Sequence, residues 1–340
     1  VLATGMWSRQ IGKDIDVSIP LYPDEHFYVL SEPIDDIDRS LPVLRDYNNC
    51  LYLKEDAGKL LVGVFEPNAK PAFTNNYKVP NDFSFGELPE DFDHFEPYLI
   101  NAMNRVPSLE KSGIRKFFNG PESFTPDTNY LLGETPEVKN LFICGGFNSI
   151  GIVSSGGAGK VTAEWMMNGE MQDDIFSLDI SRFEKFHSEL NFITERVTET
   201  LGNLYAMHWP FKQLSTSRNQ KLMPYHNYLA KKGACFGQTA AYERPMWYAI
   251  NGNEPKYKYS YGYQNWFESA EYETFNARKN VALFELSPFA KFELTGVNSY
   301  SSLQYLCAND IKNQVGAITY TQMLNSKGGI ESDLTVTCIE

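Results

Sequence analysis

Cysteine is sparse in this chain of 340 residues. The five, Cys50, Cys144, Cys235, Cys307 and Cys338, are scattered, odd in number and form no CxxC pair. That excludes a disulfide-stapled scaffold and a cysteine-based zinc site, and it fits a reducing compartment. Histidine is equally rare, and His94, His187, His208 and His226 fall at no metal-ligand spacing. Positive charge is short: 30 Lys and Arg against 43 Asp and Glu leave a net charge of −13. Nucleic acid and anionic membrane are thereby excluded as main partners. No apolar run approaches the roughly 20 residues of a membrane span, so no membrane insertion is expected. Repeats and low-complexity tracts are absent.

Complete phosphate-gripping motifs are missing too. The glycine-rich stretch 144–169, CGGFNSIGIVSSGGAGKVTAEWMMNG, contains Gly159-Lys160, but Ser154 and Val161 stand where a Walker loop requires Gly and Ser or Thr. Gly157 and Gly159 start a G-x-G-x-x-G, but Thr162 occupies its third glycine. The preceding strand pattern, Asn140 to Cys144, also ends too early for that fingerprint. What remains is a long Gly/Ser loop whose backbone can approach something flat, feeding a helix expected from about Gly159 to Asn168. A helix N-terminus carries about half a positive charge and suits a group that becomes anionic in use. A plain Gly-rich turn in an α/β protein explains the loop alone equally well.

Against these absences, 42% hydrophobic and 14% aromatic residues supply real cores, and the length suits about two or three domains. Residues 19–34 alternate and are rich in Tyr, Phe and Val, a strand pattern. Residues 50–67 read as a hairpin turning at Asp56, Ala57 and Gly58. Residues 91–110 and 182–204 read as helices, and 113–127 as a strand ending in a Pro/Gly turn. Antiparallel strands thus interrupt an α/β frame that resumes near Asn140. Residues 205–260 are loop-rich and aromatic. From Tyr261 a new unit begins, with strands expected in VALFEL and FAKFELTG, a helix over VNSYSSLQYLCAND, and a hairpin around Lys327, Gly328 and Gly329. The opening VLATGMWSRQIG reads as a buried strand, a Gly turn and a helix start. It begins with Val1, and the last strand pattern lacks a partner, so a piece of a longer protein is expected.

The stretches VLATGMWSRQIG, PLYPDEHFYVLSEPI, LPVLRDYNNCLYLKED, NGPESFTPDTNYLLGE and 144–169 resemble the dimethylglycine and sarcosine dehydrogenase family. GACFGQTAAYERPMWYA and YSYGYQNWFES resemble that family's central region. VALFELSPFAKFELTG and YTQMLNSKGGIESDLTV resemble the start of its folate domain, which is similar to the aminomethyltransferase of glycine cleavage. The resemblance covers nearly the whole chain, in the family's order. It implies an α/β and α+β multidomain fold. Residues 1–180 would be the C-terminal part of an FAD-binding domain, with an inserted antiparallel substrate sheet over about 19–125 and a flavin-ring loop at 144–169. Residues 181–260 would form a central linking domain, and 261–340 the N-terminal part of the folate domain.

The implied activity is oxidative N-demethylation of a methylated glycine, with FAD taking a hydride. The one-carbon unit would pass to tetrahydrofolate or leave as formaldehyde. Electron-transfer flavoprotein or oxygen would be the electron acceptor, in the cytoplasm of a bacterium or the mitochondrial matrix of a eukaryote. By the same resemblance the flavin ring would lie against Gly145, Gly146, Asn148, Ser149, Gly151 and Ile152, where small residues let the backbone approach. Amine oxidation needs a neutral amine, so a group must take its proton, and histidine suits that task. His26 and Tyr52 match the family's active-site histidine and tyrosine, although a strand histidine and a core aromatic are their ordinary alternatives. Arg115 or Lys116 could meet a substrate carboxylate, but charges on a surface strand read more simply as solvated. Asp333 matches an aspartate facing the folate's reactive nitrogens. Two other classes remain open: a non-catalytic relative similar to the regulatory subunit of pyruvate dehydrogenase phosphatase, and an aminomethyl-transfer protein with a vestigial front half.

Overall fold

The structure is a computed structural model that describes residues 1–35, 37–171, 174–239 and 241–339. Two compact units divide it, Val1–Pro288 and Phe289–Glu340.

The first unit starts with helix α1 (Ser8–Asp14) and strand β1 (Tyr22–Ser31). Then follow β2 (Leu44–Asp46), β3 (Leu51–Asp56), β4 (Lys59–Val64), helix α2 (Phe92–Arg105) and β5 (Ile114–Phe124). The five strands make one sheet in the order β2-β3-β4-β1-β5, antiparallel at every pairing. The expected antiparallel sheet is therefore present, with its hairpin in register from Leu51↔Val64 to Asp56↔Lys59. Ala57 (φ 51°) and Gly58 (φ 84°) both take the left-handed conformation, as the tight two-residue turn between right-twisted strands requires.

Period-two alternation gives the sheet two different faces. Phe27 and Val29 of β1, Leu51 and Leu53 of β3, and Val62 and Val64 of β4 point one way. They form a core with Phe95 and Ala102 of α2. Helix α2 is capped by Asp91, whose carboxylate accepts the His94 backbone N–H at 3.0 Å. The opposite face carries Tyr22, Asp24, His26 and Tyr28 of β1. One end of it is sealed by helix α4 (Leu190–Asn203), which buries Phe192, Ile193, Val197 and Leu201 against Tyr22, Phe65 and Phe124. The other end stays open, and that opening positions the site.

Between β5 and α4 lie the hairpin β6 (Leu131–Glu134) and β7 (Phe142–Gly145) and helix α3 (Gly151–Asn168). Leu131 and Ile143 share a core with Val17, Ile19, Leu21 and Ile180. Two expectations change here. The opening strand reduces to one parallel bridge, Leu2↔Ile143. Helix α3 begins at Gly151, not near Gly159, so the glycine loop is shorter than expected. Glycine disfavours helix interiors by about 1 kcal/mol, which makes the segment look like loop. Burial of Ala158 and Thr162, with Trp165 against Phe142, supplies the tertiary packing that overrides propensity.

Farther on come helix α5 (His226–Lys231), hairpin β8 (Ala234–Thr239) and β9 (Tyr242–Tyr248), and helix α6 (Phe267–Lys279). The strands expected in 281–295 do not form: the segment is irregular, and Val281, Leu283 and Phe292 are exposed. Among the described residues no strand pairs with it, and an unpaired segment has no ladder to hold it extended. The second unit holds helix α7 (Ser299–Leu306) and the hairpin β10 (Ile318–Leu324) and β11 (Ile330–Thr337). Its turn is where expected, with Asn325 Oδ1 accepting the N–H groups of Lys327 (3.0 Å) and Gly329 (2.9 Å).

Candidate active site

Two adjoining cavities lie beside the open face of the sheet. The first, about 590 Å³, has His26, Tyr28, Tyr52, Phe65, Phe118 and Tyr205 in its wall, with Arg45, Glu122 and Ser149 among its polar groups. Strand register explains the grouping. Arg45 pairs with Tyr52, Tyr52 with Gly63, Gly63 with Tyr28, and Tyr28 with Phe118, one row across all five strands. His26 stands two residues along β1, on the same face. Gly63 is required by close approach: a Cβ built there would stand 2.0 Å from Tyr52 Cζ, so the ring of Tyr52 lies directly over this backbone.

His26 is nearly buried. Its ring meets Phe65 edge-on at 4.7 Å, and Nδ1 lies 2.9 Å from Glu122 Oε2. The ring N–H does not point along that line, so the contact is at ion-pair distance without hydrogen-bond alignment. Burial pushes the Glu122 carboxyl up. The close contact with His26, with hydrogen bonds from Ser149, outweighs this and holds it below the ordinary carboxylate value. The Tyr52 phenol is pushed far above its ordinary value, first by burial and then by the charge of Glu122. It therefore stays protonated, a hydrogen-bond donor. Arg45 lies 5.6 Å from the centroid of the Tyr205 ring. Among the described residues no carboxylate lies within ion-pairing distance of it.

The second cavity, about 420 Å³, is walled by Gly145, Gly146, Asn148, Ser149, Gly151, Ser155 and Gly159, with Ala3 and Gly5 opposite in sequence. Glu122 and Ser149 belong to both cavities. Helix α3 opens onto this region with no side-chain cap on its first N–H groups. A Cβ built at Gly156, Gly157 or Gly159 would meet nothing within 4 Å. Uncapped N–H groups and a bare backbone fit a flat group with hydrogen-bond acceptors along its edge, such as a flavin ring.

The structure thus brings His26, Tyr52 and Ser149 to one cavity. Gly145, Gly146, Asn148, Ser149 and Gly151 share the other. Ile152 is not in its wall, and its side chain is 98% exposed on α3. Asp333 lies on β11 in the second unit, exposed, accepting a hydrogen bond from the Tyr320 hydroxyl at 3.0 Å. Arg115 faces Glu32 and Lys116 pairs with Glu87, and neither is in the wall of these two cavities. Arg45, Glu122 and Tyr205 are the residues that sequence reasoning passed over. Arg45 stands in LPVLRDYNNC, a stretch whose strand is only three residues long, and nothing local marks it.

Three family models match the chain in succession. A family model described as FAD dependent oxidoreductase matches residues 1–165. The FAD dependent oxidoreductase central domain matches 168–222, and the GCVT N-terminal domain matches 225–340. The chain belongs to the sarcosine and dimethylglycine dehydrogenase family. It is 43% identical to 4-methylaminobutanoate oxidase (formaldehyde-forming) of Paenarthrobacter nicotinovorans, over 99% of this chain and 40% of that protein. With mouse mitochondrial sarcosine dehydrogenase it shares 34% identity, over 99% and 39%. With the mouse pyruvate dehydrogenase phosphatase regulatory subunit it shares 35%, again over 99% and 39%. The chain therefore spans about two fifths of the length of these relatives. A solved glycine oxidase of Geobacillus kaustophilus superposes with a TM-score of 0.43 at 22% identity, covering 54% of this chain and 45% of that one. Among the described residues no helix is long and apolar enough to cross a membrane.

Proposed function

We propose that this protein carries the substrate half-site of an FAD-dependent oxidase or dehydrogenase of N-methylated amino acids. The observation that carries the reading is the convergence of Arg45, Tyr52 and His26 in one aromatic-walled cavity that adjoins a glycine-walled one. Bound FAD would accept a hydride from the N-methyl carbon. Gly145, Gly146, Asn148, Ser149 and Gly151 would hold the flavin ring, with the positive end of α3 facing its anionic edge.

The remaining work falls to this chain's side chains. Arg45 holds the substrate carboxylate, and Tyr205 backs its guanidinium. The aromatic wall exchanges water around the methylammonium for ring faces, which favour a cation. His26 takes the ammonium proton and leaves the nitrogen lone pair free to push hydride from the methyl carbon. The Tyr52 phenol donates a hydrogen bond within the same pocket. The iminium that forms passes to tetrahydrofolate or is hydrolysed to formaldehyde. Asp333 is the candidate carboxylate at the folate nitrogens, and the electrons leave to electron-transfer flavoprotein or to oxygen.

Sheet geometry bears on substrate length. Arg45 and Tyr28 are three strand spacings apart, about 14 Å at roughly 4.8 Å each, and His26 lies about 7 Å further along β1. The Cα atoms of Arg45 and His26 are therefore about 16 Å apart. That separation favours an amino acid whose amine and carboxylate are separated by several carbons, the arrangement of 4-methylaminobutanoate, over a methylated glycine. A purely regulatory role leaves the shared placement of Arg45, Tyr52 and His26 without purpose. The test uses the full-length protein: its visible flavin spectrum is recorded anaerobically with sarcosine, dimethylglycine or 4-methylaminobutanoate. Bleaching by an N-methyl amino acid is expected, most readily by the longest. No bleaching by any of them would refute the reading.

A further inference from the structure

We propose that Glu122 is the positioning residue of this site, holding the His26 ring and tying it to the glycine loop through Ser149. The inference rests on His26 as the proton acceptor. In the β1–β5 register His26 pairs with Gly120, and Glu122 pairs with Asp24. Glu122 is thus the diagonal same-face neighbour of His26, and the glycine opposite His26 puts no side chain between them. The carboxylate oxygen that lies 2.9 Å from His26 Nδ1 also accepts the Ser149 hydroxyl.

Ser149 is itself fixed. It and Asn148 sit in the left-handed region, with φ of 67° and 48°, a conformation that L side chains adopt only where their surroundings hold them. Buried Asn148 sustains it: its Oδ1 accepts the Thr125 N–H at 2.9 Å and its Nδ2 donates to Gly146 O at 2.7 Å. The end of β5 therefore grips the loop at two places, through Thr125 and through Glu122. This continuous path, His26 to Glu122 to Ser149 to the start of α3, runs along the boundary of both cavities. A proton acceptor beside one cavity is thereby held in register with whatever the other cavity binds.

Charge points the same way. Besides Glu122, the titratable groups of the cavity wall are Tyr28, Arg45, Tyr52 and Tyr205, and Tyr22 and Asp24 share His26's face of β1. Burial favours the neutral forms of Asp24 and Tyr52. Glu122 is the anion in contact with the ring.

The experiment follows anaerobic flavin reduction in full-length flavoprotein from pH 6 to 10, driven by whichever of 4-methylaminobutanoate or sarcosine bleaches the flavin. Glu122→Gln keeps the size and an acceptor for Ser149. Its plateau rate should fall about tenfold with the KM for the amine unchanged, because the ring loses the contact that fixes it. Glu122→Asp should recover part of that rate, since it keeps a carboxylate on the same face. His26→Ala/Glu122→Gln should be no slower than His26→Ala, since Glu122 acts through His26. A wild-type plateau rate in Glu122→Gln, a loss that appears in KM instead of rate, or multiplying losses in the double variant would overturn the inference while leaving a slow His26→Ala to support the base. A His26→Ala variant at the wild-type rate would remove the base reading and this inference together.

Discussion

Replacing Gly63 by alanine isolates the contribution of one ring position. Gly63 pairs with Tyr52 on one side and Tyr28 on the other. An added Cβ would stand 2.0 Å from Tyr52 Cζ, 2.2 Å from its hydroxyl oxygen and 2.4 Å from Cε1. Carbon atoms settle at about 3.5–4.0 Å, so the ring must retreat by about 1.5 Å. Tyr52 can do this by rotation, because the clash is at its far end. In a strand, alanine also regains about 0.5–1 kcal/mol over glycine. The fold should therefore tolerate the change, with a melting temperature within a few degrees of wild type. Catalysis should not, because a displacement of about 1 Å at a reacting centre costs roughly a hundredfold. Anaerobic stopped-flow flavin reduction in full-length protein, at saturating amine, measures the rate. Adding Tyr52→Phe to Gly63→Ala should cost little more, since the hydroxyl is already misplaced. A wild-type rate in Gly63→Ala, with melting unchanged, would refute the claim that this ring position serves the reaction.

In the same assay His26→Ala should slow reduction about a hundredfold, the scale of a positioned acid–base group, while the flavin absorbance stays. Arg45→Met should raise the amine's KM at least tenfold, and more for carboxylate-bearing amines than for their esters; equal effects on both would remove Arg45 from the carboxylate. Asp24 is fully buried with both carboxylate oxygens unpartnered, and burial, then the charge of Glu66, raises its pKa well above the ordinary value. A raised carboxyl gives stability that is complete below the unfolded value of about 4 and lost as pH rises through the folded one. Asp24→Asn should therefore flatten the fall in melting temperature between pH 5 and pH 9, and an unchanged fall would contradict this burial argument. Asp333→Asn should leave flavin reduction intact and shift product from methylenetetrahydrofolate to free formaldehyde; an unaltered partition would take Asp333 out of the folate site.

Some of this protein is local physics and can be read directly. Alternation over 19–34 and 50–67 sets which residues face the core, and Ala57-Gly58 sets the hairpin, because side chains in a strand alternate whatever their partners. Asp91 begins α2 by capping it. The chemical roles offered for His26 and Tyr52 came from their residue types together with resemblance, and the structure places the two in one cavity. Other features depend on long-range pairing. The Arg45–Tyr52–Gly63–Tyr28–Phe118 row exists only because β2, β3, β4, β1 and β5 align in that register. Glu122 reaches His26 across 96 positions of sequence through the β1–β5 pairing, and no periodicity within either strand encodes that distance. Helix α3 starts at Gly151 because Ala158 and Thr162 find a surface to bury against, an energy that intrinsic propensity does not contain. Residues 281–295 show the converse: a β-rich composition stays irregular where, among the described residues, no strand pairs with it. Local preference is a few tenths of a kcal/mol per residue, whereas register and burial are collective, so they belong to the folded chain.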